Sequence, residues 1–166
     1  MEISEIKFNY WIKTVLWVGF AMLLVFLLSQ KMVIGNQVVY DWRPEQQNRF
    51  IKGPYPYGRI GFDNESMTII GEPVYFDVYS PRHFRQARVR LDLVAEIDRP
   101  VKLGLAIKGE DWSYDFPNMV EDGNVVTFDL SKAKYINNRL QFIISAAGVT
   151  PAEKLTINSL HVELIK

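Results

Sequence analysis

Two patterns of apolar residues divide the chain. Residues 10–29, YWIKTVLWVGFAMLLVFLLS, are apolar without a helical stripe and without a break, whereas from Arg59 onward apolar and polar positions alternate. The first pattern predicts a helix surrounded by a greasy medium, because a buried helix of a water-soluble protein normally keeps one polar stripe. The second predicts strands buried on one face.

The helical stretch has the dimensions of a membrane span. No charge occurs from Thr14 to Gln30, and with Lys13 snorkelling the run reaches the roughly 20 residues that a bilayer core requires. Tyr10 and Trp11 sit where interfacial aromatics belong, Lys31 closes the far end, and Trp17, Phe20, Leu24 and Leu28 supply the apolar surface. The exit LLSQKMVIGN offers no A-x-A-like triplet, so the expectation is an uncleaved anchor rather than a signal peptide. Residues 1–9 continue the helix into the interface. Basic residues flank both ends, and the positive-inside rule barely discriminates. A short tail with no fold of its own suits the cytoplasmic end of a signal anchor, which places the C-terminal domain outside the cytoplasm.

Alternation is clearest at Ala87, Val89, Leu91 and Leu93, which are interleaved with Arg88, Arg90 and Asp92, and again at Val101, Leu103, Leu105 and Ile107. Further strands are expected at 59–62, 67–70, 74–79, 112–116, 125–130, 140–145 and 155–165. In the last of these the parity slips from Leu155 and Ile157 to Leu160, Val162 and Leu164, which predicts a bulge at Asn158 and Ser159. Gly71, Pro81, Pro100, Gly109, Asp122-Gly123, Asn137-Asn138 and Pro151 punctuate the strands. About nine strands with no later helix make a mainly β two-sheet sandwich. Residues 33–63, carrying Pro44, Pro54 and Pro56, read as linker and turn. Trp42 within them either packs beneath the domain or dips into the headgroup layer, with packing favoured. The expected organisation is a tail and transmembrane helix over 1–31, a linker with an aromatic and proline loop over 32–58, and a β-sandwich over 59–166.

The chain's 166 residues leave enough for one domain behind the anchor. Cysteine is absent, which removes disulfides, thiolate metal sites and thiol nucleophiles. Basic and acidic residues number 19 each, so nothing argues for nucleic acid as a partner.

The ending RLQFIISAAGVTPAEKLTINSLHVEL resembles the closing hairpin of galactose-binding-like jelly rolls, the fold of many carbohydrate-binding modules, and the opening GEPVYFDVYSP is similar in style. The resemblance implies a jelly-roll fold over about a third of the domain and speaks to fold more than to ligand. Such modules often hold a structural calcium partly through an Asp in the last strand. Asn158 stands at that position, which puts the metal in doubt.

Catalytic inventory is thin. His83 and His161 are the two histidines, and neither a G-x-S-x-G elbow nor a metal-spaced His pair occurs. His161 falls at a solvent-facing parity of the last strand. Glu110-Asp111 and Glu121-Asp122 are neighbours beside turn glycines and read as loop solubility. No enzyme, cofactor or metal is expected. Three surfaces remain as candidates for a ligand or partner. In GPYPYG, residues 53–58, Tyr55 and Tyr57 stand on a stiff proline loop, where they either bind something or cap the end of the core. Arg82, Arg85, Arg88 and Arg90 in PRHFRQARVR suit lipid phosphates, an acidic glycan or an acidic partner, or else form an ordinary outer strand face. Trp112, Tyr114 and Phe116 in GEDWSYDFPN can stack on sugar rings; the commoner role of such a row is core, with Ser113 and Asp115 facing solvent.

The sequence therefore suggests a non-enzymatic single-pass β-sandwich protein, a structural or accessory subunit of a membrane or cell-surface assembly whose partners are the bilayer and other protein subunits. A surface-tethered carbohydrate-binding module is the alternative. A pilin-like filament subunit is a further one, weakened because those helices follow a processed leader whereas Met1 is retained.

Overall fold

The computed structural model describes the backbone of residues 2–31, 35–46, 48–63, 65–95, 101–117, 125–148, 153 and 155–166, with the side chains of all of these except 2–10, 27–31 and 95. Two compact units are present, Met1–Gly35 and Asn36–Lys166.

The first unit is helix α1, Glu2–Lys31. Its described side chains expose apolar surface on every side, with Trp11, Trp17, Phe20 and Leu24 all open. Among the described residues no helix is long and apolar enough to cross a membrane; the described side chains of α1 stop at residue 26. Leu28 lies outside them.

The second unit is mainly β, with twelve strands among the described residues where about nine are expected. They are β1 (Gln37–Trp42), β2 (Ile51–Tyr55), β3 (Ile60–Asp63), β4 (Ser66–Ile69), β5 (Val74–Tyr79), β6 (Gln86–Ala95), β7 (Lys102–Ala106), β8 (Tyr114–Asp115), β9 (Val125–Asp129), β10 (Tyr135–Ile136), β11 (Arg139–Ser145) and β12 (Leu155–Ile165). One antiparallel sheet runs β3-β4-β12-β6-β9 with β1 also on β12, and the other runs β2-β5-β11-β7-β8 with β10 on β11.

Alternation decides which residues lie between the sheets. Ala87, Val89 and Leu91 of β6 meet Val74, Phe76 and Val78 of β5 and Leu140, Phe142 and Ile144 of β11 in one core, all at most 1% exposed. The expected bulge is present: Ile157 is opposite Leu93 and Ser159 opposite Asp92, so Asn158 is the extra residue. Without it the one-residue slip in sequence would turn Leu160, Val162 and Leu164 to solvent; with it all three stay inside. Asn137 and Asn138 both adopt left-handed backbone, at φ 51° and 58°, and form the two-residue turn joining β10 to β11.

The linker reading of 32–58 needs correction. β1 lies along β12 beyond the bulge, and β2 lies along β5. Tyr40 and Trp42 are core residues, Trp42 meeting Phe76 edge to face at 5.2 Å, so the headgroup alternative for Trp42 falls away. The prolines here mark an edge strand and its exit, where a missing N–H costs no ladder bond. Residues Pro100, Asp122, Gly123 and Pro151 among the turn signals, and the Glu121-Asp122 pair, lie outside the described residues.

Candidate ligand-binding cleft

The outer face of the second sheet differs from an ordinary solvated strand face. The alternation that sends Val74, Phe76 and Val78 inward turns Tyr75 and Asp77 outward, and on β11 it turns Gln141 and Ile143 outward. Register then aligns them: Tyr55 pairs with Tyr75, Tyr75 with Ile143, and Asp77 with Gln141. On β7 the outward positions are Gly104 and Ala106, which have little or no side chain, so the surface dips there. Phe116 covers Gly104. Ala106 lines a cleft of about 320 Å³ to which Tyr55, Tyr75, Gln141, Ala106 and Tyr114, one from each strand of the β2-β5-β11-β7-β8 path, contribute.

The rings of this face support one another. Tyr55 stacks on Tyr75 at 5.5 Å, Tyr75 lies 6.5 Å from Tyr114, and Tyr114 lies 6.3 Å from Phe116. Hydrogen bonds fix their polar ends. The Tyr55 hydroxyl donates to Asp77 Oδ1 and accepts from Gln141 Nε2, both at 2.7 Å, and the Tyr114 hydroxyl donates to Gln141 Oε1 at 2.9 Å. Burial raises the pKa of both phenols, with the bond to Asp77 adding to it at Tyr55 and the neighbouring Tyr75 and Asp77 at Tyr114. Both hydroxyls therefore stay protonated at neutral pH. Gln141 has a second N–H and a second lone pair to offer a ligand.

Trp112 stands at the rim. It is 78% exposed and its backbone is left-handed at φ 71°, a conformation that costs a bulky residue energy and persists only where its surroundings impose it. Here the surroundings are a pinned loop: Ile107 N–H donates to the Ser113 carbonyl at 3.0 Å and Lys108 N–H to the Lys132 carbonyl at 2.8 Å. Lys134 Nζ, 3.5 Å from Asp111 Oδ1, braces the same loop from outside. An exposed indole thus projects from a pinned backbone beside fixed hydroxyl and amide groups.

The sequence reading of these residues is revised accordingly. Trp112, Tyr114 and Phe116 are not core: only Tyr114–Asp115 is strand, and the aromatic row lies on the outside of the sheet. Tyr55 joins Trp112 and Tyr114 in the cleft, while Tyr57, 77% exposed, stands on the short turn after β2. Glu110 and Asp111 line the cleft together instead of serving as unrelated loop charges. The arginines do not join it. Arg88 and Arg90 are on the outer face of the other sheet, Arg88 3.2 Å from Glu163 Oε2; Arg82 lies over the Phe84 ring at 4.9 Å; and the exposed Arg85 is held through its backbone by Ile165. His161 faces outward next to Asp41, with Nδ1 to Oδ1 at 2.6 Å. Tyr75, Gln141, Ala106 and Lys134 escaped the sequence reading. For Tyr75 a signal existed: an aromatic at a solvent-facing parity of a strand whose other face is already apolar.

Among the described residues no group of histidines and carboxylates is placed to share a metal ion. No family model, curated protein or solved structure matches the chain.

Proposed function

We propose that the chain is a membrane-tethered glycan-binding protein without catalytic activity, its sandwich lying outside the cytoplasm and its α1 helix acting as the anchor. One observation carries the glycan reading: the open face of Trp112, on a strained but pinned backbone, beside Tyr114, Tyr55 and Gln141 in a single cleft. A sugar ring presents an apolar face of C–H groups and a rim of hydroxyls. A flat indole meets the first, while preset hydroxyl, amide and carboxylate groups meet the second at little ordering cost.

The strand order supports a jelly-roll reading of the sandwich, since β4-β12-β6-β9 faces β5-β11-β7-β8 and, among these eight strands, the chain switches sheets at every step except the β7-β8 hairpin. The anchor reading rests on the unbroken apolar run of residues 10–29 and on the apolar surface that Trp17, Phe20 and Leu24 expose.

The test is an oligosaccharide array probed with the full chain in lipid nanodiscs, alongside Trp112→Ala. Because Trp112 lies outside the core, the variant keeps the fold. Loss of the tryptophan contact is expected to weaken binding about tenfold or more. Unchanged binding by the variant, or no retention by any glycan, rejects the reading. In that event the accessory-subunit reading stands, and protein partners are expected to copurify in mild detergent.

A further inference from the structure

We infer that the cleft binds a glycan along its length, taking several consecutive sugar units from Trp112 across Tyr55 to Tyr57, instead of enclosing a single terminal sugar. The inference rests on the glycan reading above and specifies the form of ligand that site accepts.

Three features lead to it. First, the cleft does not end at β2. Tyr55 also lines a second, open groove of about 690 Å³ on the far side of that strand, with Tyr57, Phe62 and Asp77, so Tyr55 and the hydroxyl it gives to Asp77 form a saddle common to both. Second, each end carries an open ring where a terminal-sugar pocket would need a wall: Trp112 is 78% and Tyr57 77% exposed. Tyr57 is held by a tight turn in which Arg59 N–H donates to the Pro56 carbonyl at 3.0 Å. Third, the reach is right for a chain. The Tyr55 and Tyr114 rings, both neighbours of Tyr75 at 5.5 and 6.5 Å, form only the middle of the path. Trp112 precedes β8 and Tyr57 follows β2, strands whose backbones stand four spacings or about 19 Å apart, which leaves room for several pyranose rings. Tyr57, beyond β2, extends the path further.

The functional division between the two ends follows. Trp112 contributes to binding of every ligand, short or long. Tyr57 contributes only once the chain is long enough to cross the Tyr55 saddle.

An array of glucan, mannan, galactan, xylan and chitin oligosaccharides, each from the monosaccharide to the hexasaccharide, tests this with the full chain in nanodiscs. For any series retained, affinity is expected to climb with length beyond the disaccharide, and Tyr57→Ala is expected to weaken the longest members about tenfold while leaving the shortest unchanged. Tyr57 is 77% exposed and lies outside the core, and thermal melting of the variant checks that the fold is kept. A mono- or disaccharide bound as tightly as the hexasaccharide, or a Tyr57→Ala variant that loses nothing on long chains, overturns the extended-chain inference while the glycan reading survives. Retention of no oligosaccharide removes both.

Discussion

Phe116 occupies the space that a side chain at Gly104 would need: a Cβ built on Gly104 would stand 2.6 Å from Phe116 Cε1 and 2.8 Å from Ile143 Cγ2. The glycine lets an aromatic ring from the β8 exit lie close over β7, and that ring in turn flanks Tyr114 at 6.3 Å. A missing side chain in the middle of a strand thus seats a ring beside Tyr114, which itself lines the cleft. Phe116 is 42% exposed and free to swing outward, whereas Ile143 is buried and cannot. Gly104→Ala is therefore expected to expel Phe116, to tilt Tyr114 and to destabilise the sandwich by about 1–3 kcal/mol, the usual cost of overpacking. Chemical denaturation reads the stability, and quenching of tyrosine and tryptophan fluorescence reads the opened cleft. An unaltered melting curve with unaltered quenching would falsify this account of Gly104.

Glu72 ties the turn between β4 and β5 to the end of β11. Its carboxylate accepts from Ser145 Oγ at 2.7 Å and from the Gly148 N–H at 2.8 Å. Partial burial works against the charged form, but these bonds, the Ala146 N–H and the nearby Arg59 outweigh it and hold the pKa below the ordinary carboxylate value. A depressed native pKa means that the unfolded chain takes up the proton first. The contribution to stability is then complete above the unfolded glutamate's pKa, about 4.3, and disappears as pH falls through the lower native value. Glu72→Gln is expected to be less stable than the parent at pH 7 by about 1 kcal/mol, below the usual range for hydrogen bonds to a charge because the site is partly open. The two melting temperatures should converge in acid. A gap of constant size from pH 7 to pH 2 would assign the effect to shape and not to charge.

How far the sequence discloses all this depends on which face of a strand is asked about. Inward faces were legible, because burial between two sheets enforces strict alternation: β5 and β12 fall at the expected residues, and the parity slip at Asn158 announces the bulge. Edge strands were not. In β1, QVVYDW, and β2, IKGPY, the pattern is short and broken by Gly53 and Pro54, and pairing with β12 and β5 supplies the order that local sequence lacks. The candidate cleft was half legible for a related reason. Tyr55, Tyr114 and Trp112 stand out by residue type. Gln141 and Ala106 do not, and only the cross-strand register brings them beneath the rings. Whether Trp112 points in or out turned on a left-handed residue at 112, a conformation that no propensity for tryptophan suggests.

The α1 helix offers the most direct test of the tether. Phe20 lies at the centre of the apolar run of residues 10–29 and is exposed on the helix. If the surrounding medium is a bilayer core, an arginine there is costly by about 2.5–3.5 kcal/mol on the insertion scale. An arginine at position 11 is tolerated, since its side chain can reach the headgroups. Phe20→Arg is therefore expected to release a large part of the protein into the supernatant of an alkaline carbonate wash, while Trp11→Arg stays in the membrane pellet. Equal behaviour of the two variants would mean that position along the helix does not matter. That outcome would point to a protein partner or a fibre core as the medium covering Trp17, Phe20 and Leu24.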